Sequence, residues 1–210
     1  IGDLGAFSFQ INKLITAGEG GALTTSDPGL YEQAVRAHDQ GNLRDAEGAH
    51  GVDLSGRAFV GENYRMSELA GAVLVEQLKK LDGIIARLQA VLARIHTSAA
   101  GLPGLKARKV PQGAQDIGRR YFAILPSEEV AVRAEAALQK EGFPFRRLYG
   151  GHPVYAHPQV RVGSPQCPRA EDLLRRTVTL PLSPLLSPEE ADEVARALRK
   201  VLVRYCGAGR

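Results

Sequence analysis

Lys13 stands alone between two short apolar segments with a glycine run behind it, and nothing else in the chain restricts the possible folds as tightly. Residues 7–21 read Phe-Ser-Phe-Gln-Ile-Asn-Lys-Leu-Ile-Thr-Ala-Gly-Glu-Gly-Gly, and Ala22-Leu23-Thr24-Thr25 follows. Glycine enters positive φ without the steric penalty that other residues meet. Gly18-Glu19-Gly20-Gly21 therefore marks a turn, and residues 1–25 are predicted to form two short strands joined by the lysine loop. A lysine between apolar neighbours and near a hydroxyl, here Ser8, suits an amine that must lose its proton. Desolvation lowers a lysine pKa, and the neutral amine can attack a carbonyl carbon to give a Schiff base. Enzymes that use pyridoxal 5′-phosphate depend on such a lysine, with small or hydroxyl residues near the phosphate. The plainer reading of one lysine is a solvated surface residue.

The rest of the chain alternates strand and helix signals. Asp27-Pro28 predicts a short helix to about His38, with Leu30, Ala34, Val35 and His38 on one side. Residues 39–62, rich in Gly, Asp and Asn, read as loop. Ser67 is a good N-cap with Glu68 in the first turn, and Leu74, Leu78, Leu81, Ile85, Leu88, Leu92 and Ile95 then recur at steps of four and three. That spacing predicts one helix to about residue 99, weakened at Gly71 and Gly83 and ended by Gly101-Leu102-Pro103-Gly104. Its narrow apolar seam fits a coiled-coil partner or a long helix packed within one protein and bridging two domains. Beyond the break, Arg120–Leu125 reads as a strand and Ser127 caps a helix to about Lys140 that Gly142 terminates. Phe143–Tyr149 reads as a second strand and residues 150–168 as a proline-rich loop. A helix near 169–176, a strand at Val178–Leu180 and a helix from Ser187-Pro188-Glu189-Glu190 to about Tyr205 complete a small α/β region after residue 104.

Composition removes several classes of function. The 210 residues fit one large domain or one and a half smaller ones, and 44% hydrophobic with 24% charged residues is ordinary for a soluble globular protein. No apolar run is long enough to cross a bilayer. The chain opens on Ile1-Gly2-Asp3-Leu4-Gly5, without an initiator Met and inside a strand pattern, so it reads as the C-terminal part of a longer protein. The net charge of +4 comes mostly from scattered arginines, including Arg87, Arg94 and the pairs Arg119-Arg120, Arg146-Arg147 and Arg175-Arg176. No basic stripe interleaves with aromatics, which argues against a nucleic-acid surface, while a mildly basic surface would draw in a diphosphate-bearing substrate. Cys167 and Cys206 lack Cys-x-x-Cys spacing and read as reduced thiols of a cytoplasmic protein. His38, His50, His96, His152 and His157 form no metal-ligand pattern, and the glycine turn lacks the spacing of a dinucleotide fingerprint.

Two motifs carry a family resemblance. Ser8-Phe9-Gln10-x-x-Lys13-x-x-x-x-Gly18-Glu19-Gly20-Gly21 resembles the lysine segment of the nucleotide-sugar aminotransferases often called the DegT/DnrJ/StrS family. Gly61-Glu62-Asn63-Tyr64-Arg65-Met66 resembles that family's Gly-x-Asn-Tyr-Arg-Met segment. The likeness extends more loosely through His152-Pro153-Val154-Tyr155 and Leu180-Pro181-Leu182-Ser183-Pro184. It implies an α/β fold, the C-terminal part of a fold-type I transferase dependent on pyridoxal 5′-phosphate. Residues 1–66 would end the large cofactor domain, 67–103 would form a long linking helix, and 104–210 a small α/β domain. It also implies an aminotransferase moving an amino group from glutamate or glutamine onto a keto group of a nucleotide-linked sugar or a cyclitol, in a homodimer with a shared active site; composition and residue pattern point to no metal, nucleic acid or membrane.

The resemblance assigns roles position by position. Lys13 would hold the cofactor and then act as acid and base, and its retention favours transamination because a histidine replaces it in the family's dehydratase branch. Ser8 would hydrogen-bond the cofactor phosphate, Gln10 would stand near the cofactor, and Asn63 would reach the phosphate across the subunit interface. Tyr64, Arg65 and His152 would lie toward the substrate. Each has a plainer reading: Ser8 as a strand-end serine bonded to backbone, Asn63 as a turn residue, Arg65 as the i+3 partner of Glu68, and His152 as a solvated loop residue. The family's ring-nitrogen carboxylate, ring-stacking residue and phosphate turn precede its lysine segment, so the 210 residues alone are expected to have little activity and to expose apolar surface. Substrate selection is expected in loops 39–60 and 146–162. The rival class of function is a catalytically incomplete dimerisation or interaction module built on residues 67–99, with Leu81 and Leu88 carrying self-association.

Overall fold

A computed structural model describes residues 2–43, 56–102, 104–157, 159–160 and 167–206. The chain forms two compact units, Ile1–Leu81 and Asp82–Arg210. Residues 44–55 of the 39–60 loop, and 158, 161 and 162 of the 146–162 loop, lie outside the described residues.

In the first unit the two predicted strands form an antiparallel pair. β1 (Gly5–Ser8) runs against β2 (Gly21–Thr24), with Gly5 opposite Thr24 and Ser8 opposite Gly21. Helix α1 (Pro28–His38) starts where expected, because the Asp27 carboxylate accepts the Leu30 N–H at 2.8 Å and Pro28 gives up no N–H that the first turn would use. Helix α2 (Glu68–Leu78) is capped by Ser67, whose Oγ accepts the Ala70 N–H at 3.2 Å.

The single helix predicted over residues 67–99 is two helices. α2 closes after Leu78, and α3 (Leu81–Ala99) begins after Lys79 and Lys80. The reason lies in the seam: between Leu74 and Leu88 none of its residues is buried, Leu78 is 51% exposed, and Gly83 adds little helix propensity.

The second unit holds most of the core. Its sheet has β5 (Thr177–Pro181) between β3 (Arg120–Ile124) and β4 (Arg146–Arg147), with both pairings antiparallel. Four successive residues of β5, Thr177–Leu180, are buried, as expected of a strand covered on both faces. The two threonines find partners inside: Thr177 Oγ1 donates to the Leu173 carbonyl at 2.6 Å, and Thr179 Oγ1 accepts from Arg120 Nη1 at 3.1 Å. Helices α4 (Glu128–Lys140) and α5 (Pro168–Arg176) pack with this sheet, α6 (Pro188–Cys206) packs against α4, and Leu138, Leu198 and Leu202 are buried. The strand expected over 143–149 shortens to Arg146–Arg147, because Tyr149, Gly150 and Gly151 take positive φ and turn the chain into a short 3₁₀ segment, Leu148–Gly151. Among the described residues no helix is long and apolar enough to cross a membrane.

Candidate active site

The lysine loop is a closed hydrogen-bonded structure hung on one residue. Phe9 donates its N–H to Gly20 O at 2.8 Å, and its carbonyl accepts from Thr16 Oγ1 at 2.9 Å and from Ala17 N–H at 3.1 Å. Thr16 Oγ1 in turn accepts the Gly18 N–H at 3.0 Å. Inside this ring, the Gln10 carbonyl accepts the Lys13 N–H at 2.8 Å, and Gln10 Oε1 accepts the Asn12 N–H at 3.3 Å. These bonds pair the N–H groups of Phe9, Asn12, Lys13, Ala17 and Gly18 in a strand-free segment that carries Lys13 at its exposed side.

Ser8, at the end of β1, accepts the Gln10 N–H at a long 3.5 Å, and its hydroxyl proton has no acceptor among the described residues. Ser8 and Lys13 are both exposed and Gln10 is half-buried. Among the described residues the enclosure expected around Lys13 is absent: Ile11 is 62% exposed, and of the neighbouring apolar side chains Ile15 is the one that is buried. The loop tip projects while its second half folds inward, so apolar neighbours in sequence do not become apolar walls.

The two motifs meet at Gly20. This residue has φ +148°, and a Cβ built there would lie 2.8 Å from the terminal methyl of Met66. The Gly-Glu-Gly-Gly turn thus closes on the Asn-Tyr-Arg-Met segment because its third residue has no side chain. That segment is held by α1: the Tyr64 N–H donates to His38 O at 2.9 Å and the Gln40 N–H to Glu62 O at 3.0 Å. Asn63 Oδ1 accepts from both the backbone N–H of Arg65, at 3.2 Å, and its Nε, at 3.1 Å. Arg65 pairs with the buried Asp39 at 3.3 Å rather than with Glu68. Tyr64 is 72% exposed and borders an open apolar groove of about 650 Å³ with Phe7, Leu23, Val35 and His38, a groove that neither Ser8 nor Lys13 lines.

His152 belongs to the second unit and is exposed. Its loop is held by a chain of ion pairs: Arg147 Nε meets Glu135 at 3.1 Å, Arg147 Nη1 meets Glu128 at 3.4 Å, and Arg175 meets Glu128 at 3.7 Å and Glu171 at 3.6 Å. The Tyr155 hydroxyl donates to Glu171, which raises the phenol's pKa and lowers that of the carboxyl.

Of the residues singled out in the sequence, Ser8, Gln10, Lys13, Asn63, Tyr64 and Arg65 share the first unit. Asp39 was missed. A lone acidic residue after a helix carries no local signal of burial, and its partner lies in a different motif. An exposed amine at a loop tip and a hydroxyl with an unused proton on the adjoining strand are donors that fit a phosphate-bearing aldehyde such as pyridoxal 5′-phosphate.

The sequence profile of the DegT/DnrJ/EryC1/StrS aminotransferase family matches residues 1–199. The chain is 34% identical over 228 residues to the L-glutamine:2-deoxy-scyllo-inosose aminotransferase of Streptomyces fradiae, a match covering 94% of this chain and 53% of that protein. It is 31% identical over 237 residues to the L-glutamine:scyllo-inosose aminotransferase of Streptomyces griseus, covering 96% and 53% respectively. In fold it matches the aminotransferase TlmJ from Streptoalloteichus hindustanus with a TM-score of 0.80 at 22% identity, over 97% of this chain and 53% of that one. The chain spans about half the length of the curated relatives it matches.

Proposed function

Because the chain belongs to the DegT/DnrJ/EryC1/StrS aminotransferase family, whose members depend on pyridoxal 5′-phosphate and share the fold-type I architecture, we propose that Lys13 is the residue through which the whole protein holds that cofactor. The reaction proposed is transfer of an amino group from glutamate or glutamine to a keto group of a nucleotide-linked sugar or a cyclitol. The cyclitol aminotransferases among its relatives support the cyclitol arm. When bound, the cofactor supplies an electron sink for the carbon that loses its proton.

The residues of this chain do the rest. The Lys13 amine, held at the tip of the Phe9-anchored loop, takes and returns the migrating proton. The Ser8 hydroxyl donates to the phosphate without adding charge, Gln10 shapes the loop that carries Lys13, and Asn63 donates to a phosphate across a homodimer interface. Tyr64 and His152 are the substrate-side residues, and a cytoplasmic location belongs to the same reading. The observation that carries the proposal is the contact of Gly20 with Met66, which brings the lysine segment and the Asn-Tyr-Arg-Met segment together in one unit.

The rival reading, self-association through Leu81 and Leu88, draws less support, since Leu88 is 0% exposed and already spent on the core of the second unit. The test is borohydride reduction of the full-length protein loaded with cofactor, followed by peptide mapping. Wild type is expected to carry the label on Lys13, and Lys13→Ala to lose both the label and the visible absorbance band. A label on another residue, or an unchanged spectrum in the variant, would remove Lys13 from the role.

A further inference from the structure

Asn63 can point its amide in one sense only. The two ends of an asparagine amide have nearly the same shape, and their assignment follows from their partners. Here both partners are N–H donors of Arg65, so the oxygen must face the arginine. The Nδ2 group therefore faces away from it, in an exposed residue, with no acceptor among the described residues.

Arg65 is hydrogen-bonded through Nε to Asn63, and its Nη1 lies 3.3 Å from Asp39 Oδ1, an ion pair without hydrogen-bond geometry. Asp39 is 1% exposed, and a carboxylate in such a place is stable only when it is paired. Its position is set by the backbone: residues 39 and 63 form an antiparallel bridge, flanked by the bonds from Tyr64 N–H to His38 O and from Gln40 N–H to Glu62 O. Arg65, expected from the sequence on the substrate side, stays exposed while it reaches the buried acid and the asparagine.

We propose that Asp39 and Arg65 are positioning residues that hold the Asn63 amide with its NH₂ outward, as a donor to the phosphate of the cofactor. This rests on the proposed role of Asn63 in phosphate binding. An unclamped amide would also sample the state with oxygen outward, which repels a phosphate. The clamp removes that state before the cofactor arrives.

Cofactor titration of the full-length apoprotein, followed by absorbance and fluorescence, tests the proposal without reference to turnover. Asn63→Ala is expected to weaken binding about tenfold, the range of one charge-assisted hydrogen bond. Asn63→Asp keeps the acceptor for Arg65 but turns an oxygen outward, so it should bind more weakly than Asn63→Ala while melting at the wild-type temperature. Asp39→Asn and Arg65→Gln are expected to weaken binding several-fold, and Arg65→Gln should add nothing in an Asn63→Ala background. Arg65→Lys, which keeps the charge but not the two-point grip, should behave as Arg65→Gln. Rescue by lysine would mean that charge, not orientation, is at work, and would overturn the clamp. Equal effects of Arg65→Gln in both backgrounds, or wild-type affinity in Asn63→Asp, would also overturn it. A wild-type protein that binds no cofactor would instead bring down the reading of Lys13 and this one with it.

Discussion

Gly41 is where the absence of a single side chain decides the local architecture. It takes φ +86°, and a Cβ built on it would lie 1.5 Å from the Phe59 carbonyl oxygen, so no rotamer could relieve the clash. Its N–H donates to Arg36 O at 2.7 Å, while its carbonyl accepts from Nη1 of the buried Arg36 at 3.3 Å. Arg36 also pairs with Glu32 at 3.0 Å. The segment from Phe59 to Arg65 can therefore lie against the end of α1 only if residue 41 is glycine, and that contact is what places Asn63 beside Asp39. Gly41→Ala is expected to destabilise the full-length protein by roughly 3 kcal/mol, the sum of a left-handed conformation and an overpacked backbone contact. Denaturant unfolding reads this directly. A loss below about 1 kcal/mol would show that the 59–65 segment shifts without cost, and would weaken the case that its register matters.

At the scale of elements, the signals legible in the sequence are those completed within one turn of chain. The Ser187 cap illustrates this: the Ser187 N–H donates to Glu190 Oε2 at 2.7 Å while the Glu190 N–H donates to Ser187 Oγ at 3.2 Å, so α6 begins with both halves of a capping box. Ser187→Ala is expected to cost about 1 kcal/mol, seen as a lower denaturant midpoint with an unchanged slope. A shift within error would mean that water replaces the cap at no cost. Ser67, Ser127 and Asp27 cap their helices by the same local chemistry, and the glycine turn between β1 and β2 needed nothing more distant. Where burial decides, the sequence was a poorer guide. The apolar seam from Leu74 to Ile95 has helical spacing throughout, yet its middle residues stay unburied and the helix breaks there. Lys13 has apolar neighbours in sequence, but among the described residues none encloses it in space. The candidate site was legible as two motifs, since each carries its own wording. The Asp39–Arg65 pair was not, because it is made by a backbone bridge between segments that no periodicity connects.

For the molecule as a whole, the distribution of buried apolar side chains is uneven enough to have a thermodynamic consequence. Among the described residues of the first unit the buried hydrophobic side chains are Ile15 and Leu74, whereas the second unit buries the rest, from Leu88 to Leu202. Conversely Phe7 and Leu23 at 58%, Tyr31 at 63% and Leu69 at 82% exposure leave the first unit with much of its apolar surface in water. Burial is the main favourable term in folding and net stability is a small remainder, so a unit with so few buried groups has little with which to offset chain entropy. The hydrogen bonds of β1, β2 and α1 should then open far more readily than those of β5 and α6. In the isolated 210-residue chain, amide hydrogens of the first unit are expected to exchange at least about a hundredfold faster than those of β5 and α6. In the full-length protein loaded with cofactor, protection of the first unit should rise toward that of the second, because an occupied site shared between two protomers would cover Lys13 and Asn63 and the surface around them. Hydrogen exchange read by mass spectrometry on both samples checks the pair of expectations. Equal protection of the two units in the isolated chain would show that the Phe9 hydrogen-bond ring and the Asp39–Arg65 pair stabilise the first unit without further burial, and uniformly fast exchange in the loaded full-length protein would count against a shared site.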